Sequence, residues 1–260
     1  MKHRVGIVLS GGGARGIAHI GVLEALEEHG IEPTCISGNS SGAIVGALYA
    51  AGYSPEKMLR FFETHSPFRL SKVALRKPGI IDTEKAVADF LEYFPDDSFE
   101  ALDKQLFVTA TDIVNGRLEI FTSGPLVRAI LASSSVPMVF APTELSKRWL
   151  VDGGIINNFP VEPLKALCDS ILGVYASPLR TLDRSDLKSG LAVSHRALEL
   201  GMHFASRRKF HDCDILLCPE GLREFGVFDT KRLPEIRRIG YSWTITRIDS
   251  IREALQRSGG

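Results

Sequence analysis

The sequence predicts an α/β protein with a parallel sheet and crossover helices, and three observations carry that prediction. A β-type apolar run, a glycine loop and a helix follow one another twice within the first 52 residues. The alternation of short apolar runs with helical stripes then continues along the chain. Finally, the 260 residues are 44% hydrophobic and contain no internal repeat, low-complexity tract or long linker, enough for one sizeable core. One domain spanning 1–260 is expected.

The elements follow in order. Val5 to Leu9 is a continuous apolar run that ends at Ser10 and a glycine cluster, Gly11 to Gly16. Over residues 17–29, Ile17, Ile20, Val22, Leu23 and Leu26 form a 3.6-residue stripe with Glu24, Glu27 and Glu28 outside it, and Gly30 is placed to stop the helix. A second short strand at 34–37 runs into Gly38-Asn39-Ser40-Ser41-Gly42, followed by a small-residue helix at 43–51. Helices are expected at 55–64, 83–94, 125–133, 189–206 and 231–256. Strands are expected at 106–113, 117–121, 148–151, 170–176 and 214–218, with Asn115-Gly116 as a hairpin turn.

Composition excludes several classes. Lys+Arg and Asp+Glu are both 31, and a dedicated nucleic-acid binder is usually strongly basic. High apolar content at zero net charge excludes global disorder. The four cysteines form no CxxC pair and no metal-ligand spacing, and read as reduced core thiols. No apolar run approaches a bilayer span, and the N-terminal apolar stretch ends at the glycines, too short for a signal peptide. A cytoplasmic protein is expected, with peripheral membrane contact left open.

Three motifs carry chemistry. Gly11-Gly12-Gly13-Ala14-Arg15-Gly16 satisfies GxGxxG, but the second strand ends without the Asp or Glu that holds a ribose, and no Walker lysine follows. What remains is a set of backbone N–H groups converging at a helix N-terminus, suited to an oxyanion or a phosphate, or else a tight structural turn. Gly38-Asn39-Ser40-Ser41-Gly42 is a GxSxG between strand and helix. That context would make Ser40 a nucleophile on a sharp elbow and offer the Ser41 N–H to an oxyanion, whereas the plainer reading makes both serines helix caps. Asp152-Gly153-Gly154 ends a strand, where Asp152 could reach a neighbouring loop or simply form a turn.

A serine nucleophile needs a base and an oxyanion cradle. In the order Ser…Asp…His the candidate histidines are His195, His203 and His211, but two lie in a helical stretch and the third in a basic turn. A Ser40–Asp152 dyad fits better than a triad. A nucleotide- or phosphate-binding module and an idle scaffold on a hydrolase fold remain the competing readings.

At this point the sequence resembles the patatin-like phospholipases. The matching pieces are Gly11 to Gly16, Gly38 to Gly42, the stretch Ala132-Ser133-Ser134-Ser135-Val136-Pro137-Met138-Val139-Phe140-Ala141-Pro142, and Asp152-Gly153-Gly154. The resemblance is strong over about 4–165 and looks more like bacterial single-domain members. It implies a three-layer α/β/α sandwich with a mostly parallel central sheet, and hydrolysis of acyl esters in phospholipids, lysophospholipids or related lipids. It further implies Ser40 as nucleophile, Asp152 as proton acceptor, and the Gly11, Gly12 and Gly13 N–H groups as oxyanion hole with Arg15 nearby. No metal and no cofactor are implied. Acyl transfer to an alcohol stays open, because it shares the acyl-enzyme. Two segments mix apolar and basic residues and are candidates for lipid contact: 65–82, and the C-terminal helix carrying Arg237, Arg238, Arg247, Arg252 and Arg257.

Overall fold

The computed structural model describes residues 3–65 and 86–258. The chain begins with β1 (Val5–Leu9), a 3-10 turn (Gly13–Ile17), α1 (Ala18–Glu28), β2 (Cys35–Gly38), α2 (Ser41–Ala50), α3 (Pro55–Thr64) and α4 (Val87–Tyr93). It continues through β3 (Gln105–Asp112), β4 (Arg117–Phe121), α5 (Leu126–Ser133), β5 (Thr143–Leu145), β6 (Arg148–Asp152), α6 (Gly154–Asn157) and α7 (Glu162–Lys165). The last part holds β7 (Ser170–Val174), α8 (Gly190–Arg207), β8 (Ile215–Leu217), α9 (Leu233–Ile245) and α10 (Ile248–Ser258). No helix among the described residues is long and apolar enough to cross a membrane.

The strands form one sheet in the order β5-β6-β3-β2-β1-β7-β8, with β4 also paired to β3. Strands β3, β2, β1, β7 and β8 are parallel, and β4, β5 and β6 are antiparallel additions. Successive residues of a strand point to opposite faces, and β1 shows what that builds. Ile7 and Leu9 enter a large core with residues of α1, α2, α5 and α9, while Val8 enters a second core with Phe159, Val161 and Leu164. Helices thus cover both faces of a central, mostly parallel sheet, the three-layer arrangement expected. Val8 and Leu9 are fully buried, which explains a run without polar alternation.

The register around β3 positions everything that follows. Val108 pairs with Gly38 of β2 and with Phe121 of β4, while Ala110 pairs with Glu119 of β4 and with Asp152 of β6. A strand has only two edges, so β2 and β6 share the edge opposite β4. They run in opposite directions and meet head-on at their C-terminal ends, with only Thr109 between their registers.

Two expectations need correction. The helix expected at 231–256 is two helices. Thr246 Oγ1 donates to the Trp243 carbonyl at 2.9 Å and Arg247 packs its guanidinium on the Trp243 ring at 3.6 Å, so side chains compete for the carbonyls that would extend α9. The expectation also missed β5, a three-residue strand joined to β6 through Ser146 and Lys147, both at positive φ without being glycine. The segment 65–82 lies outside the described residues apart from His65, as does the start of the helix expected at 83–94.

Candidate active site

The first loop to leave the sheet at the head-on junction carries Ser40. Its backbone has φ 53° and ψ −124°, a conformation costly for any residue with a Cβ. The surroundings hold it there: the Ser40 N–H donates to Ser133 Oγ at 2.8 Å, and its carbonyl accepts the Ala43 and Ile44 N–H groups that start α2. The flanking glycines are needed for close approach. A Cβ on Gly38 would lie 2.6 Å from the Gly42 carbonyl, and one on Gly42 would lie 2.2 Å from that of Leu9. Gly16 leaves room for Ser41 in the same way, its Cβ position falling 2.1 Å from Ser41 Oγ.

Asp152 arrives from the opposite direction at the end of β6. Its Oδ1 accepts the Asn39 side-chain amide at 2.9 Å and the Gly154 N–H at 2.7 Å. Both of these donors fall on one oxygen, and the Ser40 side chain lies close enough to the carboxylate to favour its charged form. Burial pushes the Asp152 pKa up, and the Asn39, Gly154 and Ser40 bonds oppose that rise. Gly153 lets the turn close against β3, since a Cβ there would sit 2.6 Å from the Thr109 carbonyl and 2.5 Å from Asn39 Oδ1. Gly154 packs under Met202 of α8.

Asn39 ties the two halves together. Its Nδ2 reaches Asp152 and Asn158 Oδ1, and its Oδ1 accepts Thr109 Oγ1 at 3.1 Å and Ser133 Oγ at 3.4 Å. Every member is buried, where unpaired polar atoms are expensive and paired ones rigid. None of Asn39, Thr109, Ser133 or Asn158 stood out as a site residue in the sequence. The available signal was a polar side chain inside a buried motif, as in Gly38-Asn39-Ser40.

The glycine loop after β1 faces this pair. The Gly11 carbonyl is anchored by Ser177 Oγ at 2.8 Å, Ser10 Oγ at 3.1 Å and Asn158 Nδ2 at 3.4 Å. In a trans peptide the following N–H points the opposite way, so the Gly12 N–H is turned from that cluster. The Gly11 N–H is spent on the Asn158 carbonyl at 3.3 Å, which corrects its expected place among the free donors. Beneath the loop, His19 holds the Ser10 carbonyl at 2.8 Å, and burial lowers its pKa to about 4, so it is a neutral donor. Arg15 is buried and faces Glu199 of α8 at 3.6 Å while donating to the Gly12 carbonyl at 3.4 Å.

These groups wall a cavity of about 80 Å³ whose lining includes Gly11, Gly12, Gly13, Arg15, Ser40 and Asp152. The lining also includes Val136, Tyr175, Leu198, Met202, Val227 and Phe228, predominantly apolar. A larger space of about 570 Å³ continues outward past Arg15, His195, Glu199, Val227 and Phe228, which line both. His195 therefore reaches the cavity, a placement that its helical context did not suggest. His203 instead bonds Tyr175 Oη at 3.0 Å, and His211 is exposed. Of the candidate lipid-contact segments, the C-terminal one is largely committed elsewhere: Arg237 pairs with Glu24 and Glu56, and Ile236 and Ile251 are buried in the core.

Known proteins resemble this chain at two levels. Its fold is similar to VipD from Legionella pneumophila, with TM-score 0.57 and 16% identity over 96% of this chain and 67% of that one. It is also similar to a human GIVD cytosolic phospholipase A2, with TM-score 0.56 and 14% identity over 98% and 59%. In sequence, an uncharacterized NTE family protein of Mycobacterium tuberculosis is 36% identical over 185 residues, 68% of this chain and 51% of the relative. Lysophospholipase NTE1 of Yarrowia lipolytica is 32% identical over 188 residues, 69% of this chain and 13% of the relative. The chain thus spans about half the mycobacterial relative and a small part of the yeast one. The model of patatin-like phospholipases matches residues 7–165, the stretch that carries the glycine loop, the Ser40 elbow and Asp152. On that match the chain belongs to the patatin-like phospholipase family.

Proposed function

We propose that this protein hydrolyses carboxylic esters of lipids, using Ser40 as nucleophile and Asp152 as the base. The observation that carries the reading is the head-on meeting of β2 and β6, which brings a strained serine and a buried carboxylate with no cationic partner together on the wall of a mostly apolar cavity. Ser40 Oγ attacks the ester carbonyl carbon while the Asp152 carboxylate takes its proton. The carbonyl π electrons move onto oxygen, and the resulting oxyanion is received by the Gly12 and Gly13 N–H groups and by that of Ser41 at the start of α2. Collapse of the intermediate expels the alcohol, which regains the proton from Asp152 and leaves an acyl-serine. Water repeats the sequence and releases the fatty acid.

The raised pKa suits Asp152 to this work, since a base nearer neutrality accepts the serine proton more readily. The same carboxylate argues against a phosphate site: an anion on the glycine loop would share the cavity with another anion. Apolar walls and the lysophospholipase among the relatives favour a lipid acyl chain over a short polar ester.

The test is release of fatty acid from a panel of phospholipids and lysophospholipids by the protein and its Ser40→Ala variant, read by mass spectrometry. Release by the parent alone supports the reading. Release by both, or no release together with no fluorophosphonate adduct on Ser40, overturns it.

A further inference from the structure

Helix α8 is apolar on two opposite sides. Leu191, His195, Leu198 and Met202, spaced for one helix face, line the cavities. Val193, Ala197, Leu200 and Phe204 repeat the same spacing about half a turn away, so they point outward. On that outer stripe Val193 is 50% and Phe204 54% exposed, and at the cavity mouth Leu191 is 62% exposed beside exposed Met138 and Phe228. An apolar face on each side belongs to a helix with a partner on each side, and α8 has its main packing only on α6 beneath it. Cations stand at both ends of the stripe. Lys188 precedes it, Arg207 and Arg208 follow it, and all are exposed with no ion pair among the described residues.

We propose that the outer stripe of α8 is a docking surface for an anionic lipid bilayer, so that the helix roofing the cavity also seats the protein on its substrate. Apolar side chains entering the acyl boundary with lysines and arginines at the headgroups is the arrangement of an interfacial helix. A second copy of this chain fits less well. A two-fold contact between antiparallel α8 helices would set Lys188 of each copy against Arg207 and Arg208 of the other, like charge on like. Continuity favours the bilayer too, since the exposed apolar mouth lies along the same helix and an acyl chain would leave the bilayer there. The proposal rests on the lipid-ester reading above, but its test does not depend on turnover.

That test is sedimentation of the Ser40→Ala protein with vesicles of phosphatidylcholine, alone and with phosphatidylglycerol. Binding is expected to be tighter with phosphatidylglycerol and to weaken with salt. Adding Val193→Ser and Phe204→Ser should reduce binding about tenfold or more, since two apolar insertions are lost. Because both side chains are exposed, the melting temperature should hold, and Val193→Leu with Phe204→Leu should retain binding. Arg207→Gln with Arg208→Gln should weaken binding to phosphatidylglycerol vesicles and flatten the salt response. Failure of the parent to bind, or binding untouched by the serine pair, overturns the proposal. A dimer in gel filtration abolished by the serine pair, without vesicle binding, would assign the stripe to self-association instead.

Discussion

Residues 7–165 and residues 166–258 build the site by different means. The first stretch supplies Ser40, Asp152, the glycine loop and the buried network of Asn39, Ser133 and Asn158. There the backbone approaches so closely that a single Cβ would collide at Gly42 or Gly153, and few residue types are allowed. The second stretch supplies Tyr175, Leu198, Met202 and Phe228 to the lining of the cavity that Ser40 and Asp152 share. That wall needs only bulk and apolarity, which many side chains provide. On the proposed mechanism, chemistry is held by tolerances of tenths of an ångström, and occupancy by volume.

The sharpest way to break this comparison is at Asp152. Asp152→Asn is isosteric, can still accept from Asn39 and Gly154, and removes the proposed base; turnover should fall by about 10²–10⁴-fold with the fold intact. Its stability should move the other way. Burial raises the folded pKa of Asp152 above its unfolded value, so the carboxyl contributes stability while protonated, and that contribution is lost as pH rises through the folded pKa. The Asn variant is therefore expected to melt higher at neutral pH, by about 2–4 °C per kcal/mol recovered for a chain of this size. The gap should close as pH is lowered until Asp152 protonates. A variant that keeps near-parent turnover would direct attention to His195 as base.

Gly12→Val tests the loop. Its φ of −175° is open to any residue, but a Cβ there lies 3.1 Å from Ala176 Cβ and 3.2 Å from the Ala176 carbonyl. The loop must shift, and loss of one proposed oxyanion donor should lower kcat by about 10²–10³-fold with little change in KM. Full turnover in a folded variant would remove the loop from the mechanism.

The second stretch should answer differently. Leu198→Trp narrows the cavity without touching the dyad, so a small fluorophosphonate should still label Ser40 while long-chain esters lose about tenfold in kcat/KM. Equal losses for small and long acyl groups would mean that the wall also positions the reacting atoms, and the comparison would fail.

This division explains what could be read in advance. The Gly38 to Gly42 elbow was legible because glycine at both flanks of Ser40 is the local requirement of the turn. Gly30, at φ 74°, was legible as a helix stop for a similar reason. The division of the C-terminal helix near Thr246 was not, because it depends on which carbonyls Thr246 and Arg247 find. Asn39 was visible as a letter in a motif, but its function lies in four partners up to 119 positions away.

By itself the sequence determined the alternation of strands and helices, the strained serine turn and the presence of a carboxylate at a strand end. Those follow from local sterics and periodicity, which act within a few residues. Only the tertiary structure decided that β2 and β6 share one edge of β3, and so that Ser40 and Asp152 meet although they lie 112 positions apart in the chain. It also decided that α8 closes the cavity with one apolar face and turns the other outward, because which helix covers which part of a sheet is set by packing between distant segments.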